Sequence, residues 1–112
     1  VLDDGEEADG ARPMAAAGPG LTVMFHGIYE AGGAGALDAM PGGAAWRAAI
    51  EAIPARERHL ALHEGHLVNV SERDRGLLDG GMLRTLTFTG TRAELRDRLG
   101  GLAAAGATEI VY

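Results

Sequence analysis

Cysteine is absent from this chain of 112 residues. Its absence excludes disulfides, thiolate metal sites and cysteine nucleophiles. Aromatic residues are scarce, at 4%, and Ala and Gly fill the gap, a composition that suits close packing of helix on sheet. Positive charge is short as well. Ten Lys and Arg face 16 Asp and Glu, a net charge of −6. The basic residues are scattered arginines. That balance argues against nucleic acid and against an anionic membrane as partner. No apolar run reaches the ~18 residues a membrane span needs. The acidic start (Asp3, Asp4, Glu6, Glu7) does not read as a secretory signal peptide, and a cytoplasmic location is expected. No G-x-G-x-x-G, Walker A or G-x-S-x-G motif occurs.

What is present is 46% hydrophobic residues, too many for a disordered chain and enough for one small core. Val1-Leu2 before Asp3-Asp4-Gly5 reads as the tail of a strand entering a polar loop. Residues 8–20, Ala-rich and broken by Gly10, Pro13, Gly18, Pro19 and Gly20, read as a short helix and a turn. Leu21, Met24, Phe25 and Ile28 form a helical stripe. Gly32 to Gly43 marks a flexible connection. Trp46, Ala49, Ile50 and Ile53 form a second stripe, stopped by Pro54, with Trp46 read as core. Residues 59–70 fit helix or strand. Ser71 to Arg75 reads as an exposed helix start, and Asp79-Gly80-Gly81 as a turn. Thr91-x-x-Glu94 is a capping box, with Leu95, Leu99 and Leu102 as the buried stripe behind it. Gly106 suits a helix stop, and Ile110-Val111-Tyr112 reads as a buried parallel strand. The order predicts an α/β fold: a βαβ crossover with a helical insertion, cut at both ends.

The densest polar cluster is His59, His63, Glu64 and His66. On a helix the three histidines share a face and can form a zinc site, although Glu64-Gly65-His66 is not the zincin pattern. The favoured reading leaves the metal out: the histidines are hydrogen-bonded or line a pocket, and His63 or His66 with Glu64 can move a proton. Asp3 and Asp4 follow a candidate strand and are further pocket candidates, though Asp-Asp-Gly is also ordinary turn chemistry. Gly90-Thr91 opens a helix whose amides can hold a phosphate, but an N-cap explains Thr91 fully. No catalytic residue is assigned.

Four segments carry a family resemblance: Val1 to Glu6, Trp46 to Glu51, Arg58 to Leu67, and Thr89 to Leu99 continuing through Ala105 to Tyr112. They resemble the C-terminal part of luciferase-like flavin-dependent oxidoreductases. The likeness is nearest to the branch that uses the deazaflavin F420, similar to methylene-tetrahydromethanopterin reductase. Arg92 stands where that family usually carries Pro. The resemblance implies the C-terminal portion of a (β/α)8 TIM barrel with a helical insertion, spanning residues 1–112. It also implies FMN or F420 bound mainly by residues outside this sequence, a small-molecule substrate, and a homo-oligomer in full-length form. The implied chemistry is hydride transfer or oxygen activation on that substrate, as oxidoreductase or monooxygenase. Two other readings of the residues remain open: a small metal-binding module on the histidine cluster, and a non-enzymatic helical interaction domain.

Overall fold

The computed structural model describes residues 1–111, Ala34 by its backbone alone. Among these residues seven helices follow one another: α1 Ala11–Gly32, α2 Ala34–Asp38, α3 Gly43–Glu51, α4 Arg58–Leu62, α5 Glu72–Arg75, α6 Gly80–Leu86 and α7 Arg92–Ala104. Among the described residues there is no strand, and this corrects the expected α/β barrel portion. Among the described residues the one β-type contact is an isolated parallel bridge between Leu2 and Thr91, in which the Leu2 N–H donates to the Gly90 carbonyl at 2.8 Å. Thr108 to Val111 has no regular structure, and Ile110 and Val111 are 51% and 89% exposed. Tyr112, the last residue of the expected strand, lies outside the described residues. The physical reason is pairing. A parallel strand is stable only between neighbours that take its backbone hydrogen bonds, and nothing described here lies beside residues 108–111 to do so.

Helices α2, α3 and α6 pack against α1, and α4 packs against α3. Leu21, Phe25, Leu37, Trp46, Ile50 and Leu83 are all fully buried, drawn from α1, α2, α3 and α6. Phe25 and Trp46 meet at 5.6 Å between ring centroids. The expected stripes of α1 and α3 therefore face the core. The expected break inside residues 8–20 does not form, and α1 runs on for 22 residues with Pro19 inside it. Pro19 has no N–H to give the Ala15 carbonyl, but Ala15 is exposed and water can serve it. The Thr22 hydroxyl donates back to the Pro19 carbonyl at 2.8 Å. Burying the stripe on both sides of Pro19 outweighs the local cost.

Helix α7 starts as expected. The Thr91 N–H donates to the Glu94 carboxylate at 2.7 Å, and the Glu94 N–H to Thr91 Oγ1 at 3.3 Å. The Thr91 backbone and hydroxyl, then Arg84, hold the Glu94 carboxyl below its usual range. At the far end Gly106 takes φ +99°. The N–H groups of Gly106 and Ala107 then reach the carbonyls of Ala103 and Leu102, each at 3.0 Å, as in a Schellman stop. The buried stripe is shorter than expected: Leu95 is buried, but Leu99 and Leu102 are 40% and 44% exposed.

Close approach shapes the entry to α3. A Cβ on Gly43 would stand 1.8 Å from the Leu37 carbonyl oxygen. That oxygen is backbone and cannot swing away. Gly43→Ala is therefore expected to cost about 1–3 kcal/mol or more, read as a lowered urea midpoint. An unchanged midpoint would contradict this packing.

Candidate functional site

Helix α1 places His26 one residue past Phe25, on the side facing Trp46, at 5.5 Å between ring centroids. The ring is 2% exposed, and neither Nδ1 nor Nε2 has a hydrogen-bond partner. Burial pushes its pKa down to about 4, against the partly offsetting attraction of Asp74 and with repulsion from His66, His63 and Arg73. His26 is thus neutral near pH 7.

The chain returns to this ring after α4. Helix α4 is pinned by Arg58, which donates to the Ile53 and Glu51 carbonyls, each at 2.8 Å, and by Arg73, which donates to the Ala61 carbonyl at 2.9 Å. Residues 63–68 then form turns instead of extending either helix or strand. The left-handed backbone of Gly65, at φ +70°, makes that possible, and its carbonyl accepts from the Val68 and Asn69 N–H groups at 2.8 and 2.9 Å. The turn sets His63 and His66 over His26, with ring centroids 6.0 and 5.6 Å from it and 5.2 Å from each other. One nitrogen from each of the three rings lies within 4.8 Å of the other two.

Beneath the turn lies Asp74, 1% exposed. It is not the exposed helix-start residue that the charged run predicts. Its carboxylate accepts from Trp46 Nε1 at 2.8 Å, from Ser71 Oγ at 2.8 Å, and from Arg73 Nε and Nη2 at 3.0 and 2.8 Å. Ser71 caps α5 in return, its hydroxyl accepting from the Asp74 N–H at 3.2 Å. This network ties α3, α5 and the histidine turn into one unit.

Of the residues singled out in the sequence, His63 and His66 meet and His59 does not join them; it is exposed on α4. Glu64 is 65% exposed and stands 4.0 Å from Arg73 Nη1. Asp3 and Asp4 are exposed in a turn away from the histidines. Asp3 pairs with Arg12 at 3.3 Å, and its N–H donates to Glu6 at 2.9 Å. Thr91 and Glu94 satisfy each other's N–H groups in the capping box, which gives Gly90-Thr91 its structural role as a helix start. His26 was missed. Its only signal is a polar residue against the apolar stripe of α1, which by itself points to no ligand.

The turn also borders a cavity of about 490 Å³, lined by Met14, Ala15, Val68, Val70 and Leu78, with Asp9, Asn69 and Arg75 as polar groups. Among the described residues no helix is long and apolar enough to cross a membrane. No protein-family model, no curated protein and no solved structure matches the chain.

Proposed function

We propose that the polypeptide carrying this sequence is an oxidoreductase of the luciferase-like, flavin- or F420-dependent class, acting on a small organic substrate. In this reading the chain supplies the substrate side of the site, and the cofactor is held by residues outside it. The observation that carries the reading is the apolar cavity beside the histidine turn. Its volume falls within the ~300–1,000 Å³ typical of small-molecule pockets, and it offers a few polar groups on an apolar wall. Arg75 can orient an anionic or carbonyl-bearing substrate, and Met14 can adapt to its shape. The resemblance segments support it as well. Residues 46–51 and 58–67 meet through Trp46, His63 and His66 around His26, and residues 1–6 and 89–99 meet at the Leu2–Thr91 bridge.

FMN and F420 both carry phosphate. The start of α7 commits the Thr91 and Glu94 N–H groups to its own capping box, and in this reading the phosphate is held by residues outside this chain. When bound, either cofactor supplies the redox chemistry. What this chain contributes is an apolar wall and polar positioning.

The test is a fluorescence titration of the native polypeptide with FMN and with F420. Saturable binding of one of them is expected, and Ala15→Trp, which fills the cavity, is expected to spare that binding while blocking turnover. A folded protein that binds neither cofactor would overturn the reading.

A further inference from the structure

Two nitrogens bound to one tetrahedral zinc at about 2.0–2.1 Å stand roughly 3.3–3.4 Å apart. The Nδ1 atoms of His63 and His66 are 3.4 Å apart. That pair already has the spacing of two ligands on one ion. As a hydrogen bond the same contact is long and weak. His26 completes the set: one nitrogen from each of the three rings lies within 4.8 Å of the other two.

The stronger observation is the state of His26. A buried imidazole normally has partners for its N–H and its lone pair. Here both nitrogens lack one, in a ring that is 2% exposed and faces His63 and His66. A metal ion bound between the three rings would take up the lone pair that nothing in the protein satisfies. The outer groups fit as well. Glu30 Oε1 stands 3.8 Å from His63 Nε2, the nitrogen opposite the ligating Nδ1. Closed by a few tenths of an ångström to hydrogen-bond distance, that carboxylate would fix the tautomer and raise the basicity of the ligand. Glu64 stands by Arg73, and the Asp74 carboxylate is filled by four donors. The ligand set is therefore three neutral imidazoles with no thiolate and no carboxylate. Such a set selects late first-row divalent ions over magnesium and calcium.

We propose that His26, His63 and His66 form a binding site for a divalent transition-metal ion of the zinc class, with a fourth coordination position left open. This inference does not depend on the oxidoreductase reading. The site joins α1 to the turn after α4, so occupancy locks the two together.

The chain is stripped with chelator and titrated with Co²⁺, then with Zn²⁺. Trp46, the only tryptophan of the sequence, lies beside His26 and reports directly. Expected are one Co²⁺ per chain, quenching of Trp46, visible bands of four-coordinate cobalt, and displacement by one Zn²⁺ but not by Mg²⁺. His63→Ala, at a half-exposed position, and His26→Leu, which matches the buried surroundings, are each expected to weaken binding more than 100-fold. Glu30→Gln is expected to weaken it about tenfold, as loss of an outer partner does. His59→Ala is expected to leave it unchanged. No saturable binding, binding that survives His26→Leu, or binding lost in His59→Ala would each overturn the proposal.

Discussion

Asp74→Ala is expected to remove about 3–5 kcal/mol of folding stability, the cost of breaking a buried ion pair from one side. Arg73, with a side chain 16% exposed, would keep its charge and lose its carboxylate. The Trp46 Nε1–H would be left buried without an acceptor, which costs about 1–3 kcal/mol by itself. Ser71 would keep its cap but lose its hydroxyl acceptor. Against a total stability of ~5–15 kcal/mol for an ordinary domain, this one change can unfold the chain. Urea denaturation measures it. A cycle with Trp46→Phe separates the causes: the cavity left by the smaller ring costs the same in both backgrounds, whereas loss of the indole N–H costs a hydrogen bond only while Asp74 is present, so the two changes are expected to be non-additive. Simple additivity, or a loss below about 1 kcal/mol for Asp74→Ala, would show that the network does not hold the helices together.

His26→Leu is expected to do the opposite. In metal-free protein it removes two buried ring nitrogens that have no partners, and a gain of about 1–3 kcal/mol follows from the desolvation cost of such groups. The same change abolishes metal binding. A substitution that stabilises the fold and destroys the site marks a residue kept for function. The pH dependence carries the same signature. In the folded chain His26 titrates at about 4, against 6.5 for an ordinary histidine. Between those values the unfolded chain holds a proton that the folded chain does not. The stability of the metal-free wild type is therefore whole above pH ~6.5, falls as pH drops towards 4, and levels off below, by roughly 3 kcal/mol in all. Leucine at position 26 is expected to flatten that slope, and an unchanged slope would assign it to other groups.

The local signals in the sequence were readable where local physics decides. Trp46, Ala49 and Ile50 of the expected stripe lie on α3, which ends at Glu51 before Ile53, and the Thr91–Glu94 box and Gly106 bounded α7, because caps and periodicity act over one or two turns. Three features were not readable because they depend on contacts far along the chain. Ile110 and Val111 have strand-like residues, yet a strand is made by its neighbours and none of the described residues supplies one. Gly18-Pro19-Gly20 reads as a break, yet the apolar stripe from Leu21 to Ile28 carries α1 through it. Ser71-Glu72-Arg73-Asp74-Arg75 reads as a solvated face, yet Asp74 is buried because Trp46, 28 residues earlier, brings a donor to it. The histidine site was half visible. His63 and His66 stood out by their spacing, but helical geometry chose His59 as the third, whereas the Gly65 turn leads the pair to His26.

His26 is the residue on which packing, pH response and proposed chemistry all depend. The most direct measurement is therefore X-ray diffraction at the zinc absorption edge from crystals of the full chain grown with zinc. The expected result is one anomalous peak about 2.0–2.1 Å from a nitrogen of each of His26, His63 and His66. Crystals without a peak there, or with zinc at His59 and surface carboxylates only, would contradict it.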